Sequence, residues 1–394
     1  MGNLGSIVDT FYLLSWREIV MIIVGLVLIG LAIFKEYEPT LLLPIGFGCV
    51  LANLGMSAYQ TFTVTEVVNG QATEVVRSGF LKVLYDAGIT TELFPLLIFV
   101  GVGAMIDFRP LLAMPKMVIL GAAGQFGIYG TLLLASFLAK SFPGLHWGLA
   151  EAASIGTIGA IDGPTAIYVT SKIAPNLLGP IAVAAYSYMS LIPIIQPPIM
   201  KALSSKEDRK IRMEYAPREV SDRSIVVFPM LVTIIISIIS PAAAPLIAAL
   251  MLGNLLKESG VVDRLDKAAQ NEIINVSTLF LGLAVGGTMI GSQFLTVGVL
   301  FILVLGLLAF VLDTVFGMLF GQFMKVITGR KINPLIGACG ISAFPMAGRI
   351  AAKMALDEDP DNFILMHAMG ANTAGQLGSV IAGGVLLALV QGFL

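Results

Sequence analysis

An aspartate stands in one of the most apolar parts of the sequence. Asp162 lies in "GTIGAIDGPTAIY", residues 156 to 168, directly before Gly163 and Pro164. Because Pro164 lacks an N–H and Gly163 relaxes the backbone, a helix is expected to break here and free carbonyls that can coordinate a cation. A charge at the bilayer centre costs from about 2.5 to above 10 kcal/mol and is usually kept for a task. We expect Asp162 to bind a cation; the alternative is a turn-capping aspartate near the lipid headgroups.

A second group of polar residues lies in "INPLIGACGISAFPMAGRIAAKM", residues 332 to 354, which two prolines interrupt. Asn333 and Ser342 offer neutral oxygens that suit a hard cation, and Arg349 can hold an anion or neutralise Asp162. The alternative for Arg349 is a static ion pair or a charge that reaches the membrane surface. Asn333 and Ser342 could equally be polar residues of helix packing.

Two more stretches carry candidates. Tyr188, in "AYSYMSLIPIIQPPIM" (185 to 200), can donate a proton or bind a carboxylate, although a place in the aromatic belt at the membrane surface fits it as well. Asn372, in "HAMGANTAGQLGS" (367 to 379), lies among small residues that allow close backbone approach.

The elements that hold these residues must be membrane helices. The 394-residue chain is 57% hydrophobic and 12% charged, a composition typical of polytopic membrane proteins, and roughly ten to twelve segments are apolar and about 20 residues long. A net charge of −2 gives no basic footprint for nucleic acid. The two cysteines lie in apolar segments, so we do not expect a disulfide framework. Phosphate-loop, CxxC, GxSxG and HExxH motifs are absent from the sequence.

The two halves of the chain resemble each other. Pro44 and Asn53 match Pro245 and Asn254 at an offset of 201, whereas later pairs, such as Gly156 with Gly337, match at 181. About twenty residues are therefore extra in the first half.

The extra residues include "TFTVTEVVNGQATEVVR", 61 to 77, which alternates apolar and polar positions around Asn-Gly and predicts a surface β-hairpin near 61–80. Duplicated halves with matching broken segments are typical of transporter folds, whose sites form where the breaks meet. Whether the halves are inverted depends on whether each broken segment crosses fully; we expect inverted repeats.

The stretch from 201 to 223 divides the halves. It holds seven of the 23 Lys and Arg residues and no apolar run, so we predict a basic loop that faces the cytoplasm. The expected organisation is a first span within 1–35, a first repeat over 36–200, this loop, and a second repeat over 224–394.

Long motifs of the sequence resemble a known family. "GAIDGPTAIYVTSKIAPNLLGPIAVAAYSYMSLIPIIQPPIM", with "INPLIG", "PMAGR" and "HAMGAN", is similar to the β subunit of the sodium-translocating biotin-dependent decarboxylases, which act on oxaloacetate, methylmalonyl-CoA, glutaconyl-CoA or malonate. The similarity extends from about residue 93 to 391.

The resemblance implies that a partner subunit carries carboxybiotin, and that this chain decarboxylates it while exporting Na⁺ and taking up a proton. Roles follow for individual residues in the same way. The family pattern assigns catalysis to Asp162, Tyr188, Ser342 and Arg349, cofactor binding to Arg349, Asn333 and Gly337, and Na⁺ binding to Asp162, Asn333, Ser342 and Asn372. It also implies a carboxyltransferase and biotin-carrier subunit, a small single-span membrane subunit, further copies of this chain, and a bacterial or archaeal inner membrane.

The sequence thus predicts an all-α polytopic membrane protein of two related repeats with broken or re-entrant helices. Its expected activity is that of a Na⁺-translocating carboxybiotin decarboxylase subunit, with biotin supplied on a partner. One alternative is a stand-alone Na⁺/H⁺ antiporter that uses Asp162 without chemistry, and another is a purely structural membrane anchor.

Overall fold

The structure is a computed structural model that describes residues 15–54, 61–68, 71–214, 219–343 and 345–393. Almost all of these residues form helices, many of them short because Gly and Pro interrupt them. The helices up to the middle of the chain, with the strands between them, are α1 Trp16–Lys35, α2 Pro39–Leu54, β1 Thr61–Val68, β2 Gln71–Ser78, α3 Phe80–Leu84, α4 Leu93–Met105, α5 Arg109–Ala113, α6 Met117–Ala123, α7 Phe126–Ser141, α8 Leu149–Gly156, α9 Gly163–Ile173, α10 Leu178–Ser190 and α11 Ile192–Ala202.

The helices of the remaining chain include the two longest of the structure. They are α12 Lys206–Arg209, α13 Asp222–Ile239, α14 Ala244–Ser259, α15 Asp263–Ala268, α16 Ile274–Gly287, α17 Gly291–Phe294, α18 Val297–Ile327, α19 Met346–Glu358 and α20 Leu365–Phe393. Single π-helical or 3₁₀ segments join several of them, at Tyr85–Thr90, Pro143–Leu145, Thr157–Ala160, Pro175–Leu177, Pro241–Ala243, Ala269–Ile273 and Pro334–Cys339.

Five helices of the described residues are long and apolar enough to cross a membrane: Trp16–Lys35, Met117–Ser141 (α6 and α7 together), Asp222–Ile239, Val297–Ile327 and Leu365–Phe393. Two bent pairs, α3–α4 and α10–α11, raise the number to seven if each pair is one span. The sequence count of ten to twelve apolar segments included segments broken by Gly or Pro, whereas these five to seven are the described helices long enough to cross alone or as a bent pair. Apolar stretches that look continuous in sequence, such as 149–173, are divided by Gly and Pro into pieces too short to span alone. The chain is a multi-pass membrane protein.

The strands lie where the sequence predicts a hairpin. β1 and β2 pair antiparallel, with Thr61 opposite Ser78 and Val68 opposite Gln71. The Asn69-Gly70 turn itself lies outside the described residues. The duplication of the two halves stays a prediction.

The described chain divides into two compact units, and each takes residues from both predicted repeats. The smaller comprises the described parts of Met1–Pro95 together with Asn275–Phe301. Within it, Asn53 at the end of α2 donates to the Met289 carbonyl (2.7 Å) and accepts from the Gly291 N–H (2.9 Å). This buried amide fixes the turn before α17, because it pairs backbone groups that a lipid environment would leave unsatisfied.

The larger unit comprises Leu96–Ile274 and Ile302–Leu394. Its central element is α20, which packs along α5, α6, α9 and α19 and against the Pro334–Cys339 segment. Small residues line these contacts: a Cβ atom at Gly121 would lie 2.5 Å from Ala374. Such close backbone approach is the usual way in which membrane helices associate.

The basic stretch after α11 packs onto the larger unit. Ser205 is the N-cap of the short α12, and Asp208 accepts from the Ser205 N–H at 3.2 Å and from Lys325, at the end of α18, at 2.9 Å. Arg209 pairs with Glu358 at the end of α19, and Arg212 reaches Asp359 at 2.6 Å. We call residues 203 to 212 with these partners the polar latch. It holds the ends of α18 and α19 in register, a role that the prediction of a plain loop did not include.

Candidate functional site

The first break in the larger unit positions Asp162. Helix α8 ends at Gly156, a 3₁₀ turn follows, and Ile161 has the left-handed φ of 53° before α9 begins at Gly163. A β-branched residue in that conformation is strained, and such strain is concentrated at functional sites. Asp162 is the N-cap of α9, with Oδ1 at 3.5 Å from the Thr165 N–H. The N-terminal dipole of α9 therefore favours a negative charge at this position.

The Asp162 carboxyl is 4% exposed and lies among neutral polar groups. Its Oδ2 accepts from Thr165 Oγ1 at 2.8 Å, Ser379 Oγ at 2.9 Å and Gln376 Nε2 at 3.1 Å. Within the described ranges, no Lys, Arg or His forms an ion pair with it. One buried negative charge is thus left without a protein cation, which is costly in lipid unless a proton or metal ion neutralises it.

The second break meets the first directly. After the Pro334–Cys339 turn, Ser342 Oγ donates to the Ile161 carbonyl at 3.2 Å. Asn372 Nδ2 on α20 donates to the Ile341 carbonyl at 2.7 Å, while its Oδ1 is buried and has no hydrogen-bond partner in the described residues. The structure therefore brings Asp162, Ser342 and Asn372 together where the two breaks cross.

Two other predicted residues support the second break. Asn333 Nδ2 donates to the Arg209 and Ile211 carbonyls at 2.9 and 3.0 Å, and its Oδ1 accepts from the Leu335 N–H. All polar atoms of this side chain thus have partners away from Asp162, and they tie the break to the polar latch. Gly337 packs on α18, where an added Cβ would lie 2.1 Å from the Gly317 carbonyl oxygen.

The two remaining predicted residues are not in hydrogen-bond contact with Asp162. Tyr188 donates its hydroxyl to the Leu303 carbonyl, and its ring packs on Gly306 of α18. Arg349, on the first turns of α19, is exposed, and within the described residues no ion pair or hydrogen bond of its guanidinium is found. Its guanidinium is therefore available to an incoming anion.

Sequence reasoning missed several residues around Asp162. Thr165 had a recognisable signal, since a hydroxyl three residues after an N-cap commonly bonds back to it. Gln376 and Ser379 lie in the same stretch, 367 to 379, as the predicted Asn372. Only the fold shows which residues of this stretch face the Asp162 carboxylate. Tyr186 is the fourth: it is buried, and its hydroxyl has no partner within the part of the chain that the structure describes. Its ring contacts Gly163, where a Cβ would lie 2.1 Å from a ring carbon.

Oxygen atoms dominate the donor set of the site. Asp162, Thr165, Ser342 and Ser379 present a carboxylate and three hydroxyls, and Asn372 adds an unpartnered carbonyl oxygen. The described residues contain no group of three or more His, Cys, Asp or Glu that could hold a metal ion. One carboxylate among neutral oxygens balances one positive charge, and hard cations prefer oxygen ligands.

Comparison with known proteins identifies the family. Residues 17–390 match the sequence profile of the Na⁺-transporting oxaloacetate decarboxylase beta subunit. The chain belongs to this family. It is 49% identical to the methylmalonyl-CoA decarboxylase subunit beta of Propionigenium modestum over 388 residues, 96% of each chain.

Two further relatives of the decarboxylase beta-subunit family carry different names. The chain is 48% identical to the glutaconyl-CoA decarboxylase subunit beta of Acidaminococcus fermentans, over 97% of this chain and 96% of that one. It is 44% identical to the probable oxaloacetate decarboxylase beta chain of Vibrio cholerae over the whole of both chains. The resemblance inferred from the motifs is confirmed, and neither the antiporter nor a purely structural anchor is supported.

Proposed function

We propose that this chain removes CO₂ from carboxybiotin presented by a partner subunit and uses that step to export Na⁺, with Asp162 as the cation site. The observation that carries the proposal is the lone buried carboxylate at the crossing of the two breaks, surrounded by neutral donors and oxygens. Nearly equal identity to beta subunits of three differently named decarboxylases supports a step that all of them share. The choice of acid then belongs to another subunit.

Na⁺ and a proton compete for Asp162 in this proposal. The Thr165 and Ser379 hydroxyls donate to the carboxylate, and each can rotate to present its oxygen to a bound Na⁺. Ser342 and Asn372 supply the further oxygens expected around a hard cation. Because the site carries one negative charge, either a proton or one Na⁺ neutralises it, and binding of one displaces the other.

The chain also offers groups that fit carboxybiotin. The Arg349 guanidinium suits a carboxylate, and the Tyr186 hydroxyl and Asn372 Oδ1 are buried polar atoms without partners among the described residues. Carboxybiotin would supply an N-bound carboxylate whose loss as CO₂ leaves the bonding electron pair on nitrogen, which then needs a proton. Arg349 would hold the carboxylate before cleavage, and Asn333 and Gly337 would keep the second break in place.

The proton required at that nitrogen comes from the Asp162 carboxyl. Asp162 releases it when Na⁺ binds, and a phenol passes it on. Tyr188 was the predicted phenol, but its hydroxyl is held by the Leu303 carbonyl, whereas Tyr186 lies against the Asp162–Gly163 turn. Tyr186 is therefore the better placed donor, and Tyr188 would act by fixing α10 against α18.

The proposal also includes the partner subunits and the membrane in which the chain would work. Carboxybiotin on a carrier and carboxyltransferase subunit requires a docking face, which we place on the cytoplasmic side with residues 201–223 and Arg349. A small single-span subunit, further copies of this chain and a bacterial or archaeal inner membrane belong to this proposal, as do the two inverted repeats and their boundaries at 36–200 and 224–394.

The decisive experiment is a Na⁺ titration of carboxybiotin decarboxylation by the purified complex, paired with Na⁺ transport in proteoliposomes. Asp162→Asn is expected to abolish both activities, because the amide cannot neutralise Na⁺ or release a proton. Asp263→Asn, an exposed acid at the start of α15, is the control and should change neither. Decarboxylation that survives in Asp162→Asn without transport, or transport without decarboxylation, would contradict the coupling; Na⁺ movement that ignores carboxybiotin would point to the antiporter.

A further inference from the structure

A second acid is buried in the larger unit, apart from the site described above. Asp313 is the only acidic residue of α18, a 31-residue apolar helix, and it is 1% exposed. Its Oδ1 accepts one long hydrogen bond, 3.3 Å, from the Gly127 N–H at the start of α7. Its Oδ2 is buried and has no partner among the described residues. The proposed function assigns no role to this carboxyl.

No Lys, Arg or His of the described residues forms an ion pair with Asp313. The ionisable residues of α7 are Tyr129, whose hydroxyl is directed to the Ala382 carbonyl, and Lys140, which is exposed. The Thr157–Ala160 turn has none, and the Pro334–Cys339 segment contributes only Cys339, which bonds to its own neighbourhood. Tyr188, which packs two turns earlier on α18, is bonded to the Leu303 carbonyl.

The surroundings of Asp313 suit a proton better than a metal ion. Na⁺ needs several oxygen ligands, but in the described part of the chain the hydrogen-bond partner of this carboxyl is an N–H donor. A proton needs no such shell: it leaves a neutral acid whose Oδ1 accepts from Gly127 and whose Oδ2 carries the hydrogen. Thr131, one turn further along α7 from Gly127, has a buried hydroxyl without a hydrogen-bond partner among the described residues.

Asp313 and Asp162 are connected by backbone packing. A Cβ at Gly159 would lie 2.5 Å from the carbonyl carbon of Gly127, so the turn that leads into Asp162 lies directly on the residue that binds Asp313. Phe310, one turn before Asp313, packs in the same apolar cluster as Ile161. A change of charge at one carboxyl is therefore transmitted to the other by a rigid contact and by Coulomb interaction in a medium of low dielectric constant.

We propose that Asp313 is a second proton-binding carboxyl, which is protonated while Asp162 holds Na⁺ and returns a proton to Asp162 when Na⁺ leaves. The step is balanced: the Asp313 O–H bond breaks, an O–H bond forms on Asp162, and Asp313 then recovers a proton from the aqueous phase. This proposal rests on the exchange of Na⁺ for a proton at Asp162 and adds the group that restores the starting state.

Infrared spectroscopy of the full chain in lipid, with isotope-labelled aspartate carboxyls, tests the proton directly. We expect two protonated-carboxyl bands in the absence of Na⁺, one of which disappears when Na⁺ is added. Asp162→Asn should remove the Na⁺-sensitive band, and Asp313→Asn should remove the other. The wild-type chain alone already refutes the proposal if it has no Na⁺-insensitive band, so the test does not depend on folding of a variant.

Turnover of the complex then tests the relay. Asp313→Asn should lower the rate of decarboxylation at least tenfold above neutral pH, with the Na⁺-sensitive band unchanged, and Asp313→Glu should restore most of it. A wild-type pH profile in Asp313→Asn would overturn the relay. Loss of one bound Na⁺ in Asp313→Asn, measured with radioactive Na⁺, would show a metal site instead and also overturn it. A Na⁺-sensitive band that persists in Asp162→Asn would refute the proposed function without touching the Asp313 band.

Discussion

The polar latch allows a prediction of the folding free energy that Asp208 contributes. Burial acts to raise the pKa of Asp208, but the hydrogen bonds from Lys325, the Ser205 N–H and Gln322 outweigh it and hold the pKa at about 2, against 3.8 ordinarily. That difference corresponds to roughly 2 kcal/mol of folding free energy at neutral pH, since one pKa unit is worth about 1.4 kcal/mol. Little is lost to screening, because the Asp208 and Lys325 side chains are only 11% and 17% exposed.

The perturbation is Asp208→Asn, read out by hydrogen exchange of the backbone amides from 206 to 212. The variant should open this segment roughly thirtyfold more often at neutral pH, because every 1.4 kcal/mol is a factor of ten. A lowered carboxyl pKa stabilises the fold fully above pH 3.8 and progressively less as the pH falls towards 2. The wild type should therefore lose its advantage over the variant within that interval.

Glu207→Gln is the matched control for the latch. Glu207 is the neighbouring acid, its side chain is 73% exposed, and its pair with Lys210 is long at 3.5 Å. Exposed pairs of this kind contribute about 0–1 kcal/mol, so the control should exchange nearly as the wild type does. Equal exchange in Asp208→Asn and Glu207→Gln, or a difference between Asp208→Asn and wild type that persists below pH 2, would refute the reasoning.

Three further predictions concern the membrane-embedded site. Ser379→Ala should raise the Na⁺ concentration for half-maximal decarboxylation about tenfold or more, since hydrogen bonds to charged groups are worth about 1.5–3 kcal/mol; an unchanged Na⁺ titration would contradict it. Tyr186→Phe should leave thermal stability unchanged, because the lost hydroxyl has no partner, but should lower the decarboxylation rate at least tenfold; equal rates in Tyr186→Phe and wild type would remove it from the mechanism. Gly340→Ala should sharply lower the yield of folded protein in detergent, because its Cβ would lie 2.2 Å from a carbonyl oxygen on α6, whereas Gly144→Ala, with nothing within 4 Å, should not.

The breaks were predictable from sequence because their causes are local. Gly163 and Pro164 begin α9, and the structure interrupts the helical path directly before them, after the Thr157–Ala160 turn. The prolines of the second segment act in the same way before α19 begins at Met346. Residues that cannot continue a helix can be recognised in the sequence without knowledge of their tertiary contacts.

The partners of Asp162 could not be predicted in the same way. Gln376 and Ser379 are more than two hundred positions away in sequence, and their approach depends on how α20 packs. The roles of Asn333 and Tyr188 also depend on tertiary contacts, with the polar latch in one case and α18 in the other. Asp313 differs, since a single acid within a long apolar helix was a signal available in the sequence and passed over.

The single carboxylate at the crossing of the breaks has a consequence for ion selectivity. A divalent ion of suitable radius would find just as many oxygens there, yet one of its two charges would stay uncompensated in a medium where that is costly. In the proposed Na⁺ site, discrimination against calcium would therefore follow from the charge of the ion and would not require a cavity of exact size. Lithium carries the same charge as sodium, so it is the foreign ion that the proposed site would accept.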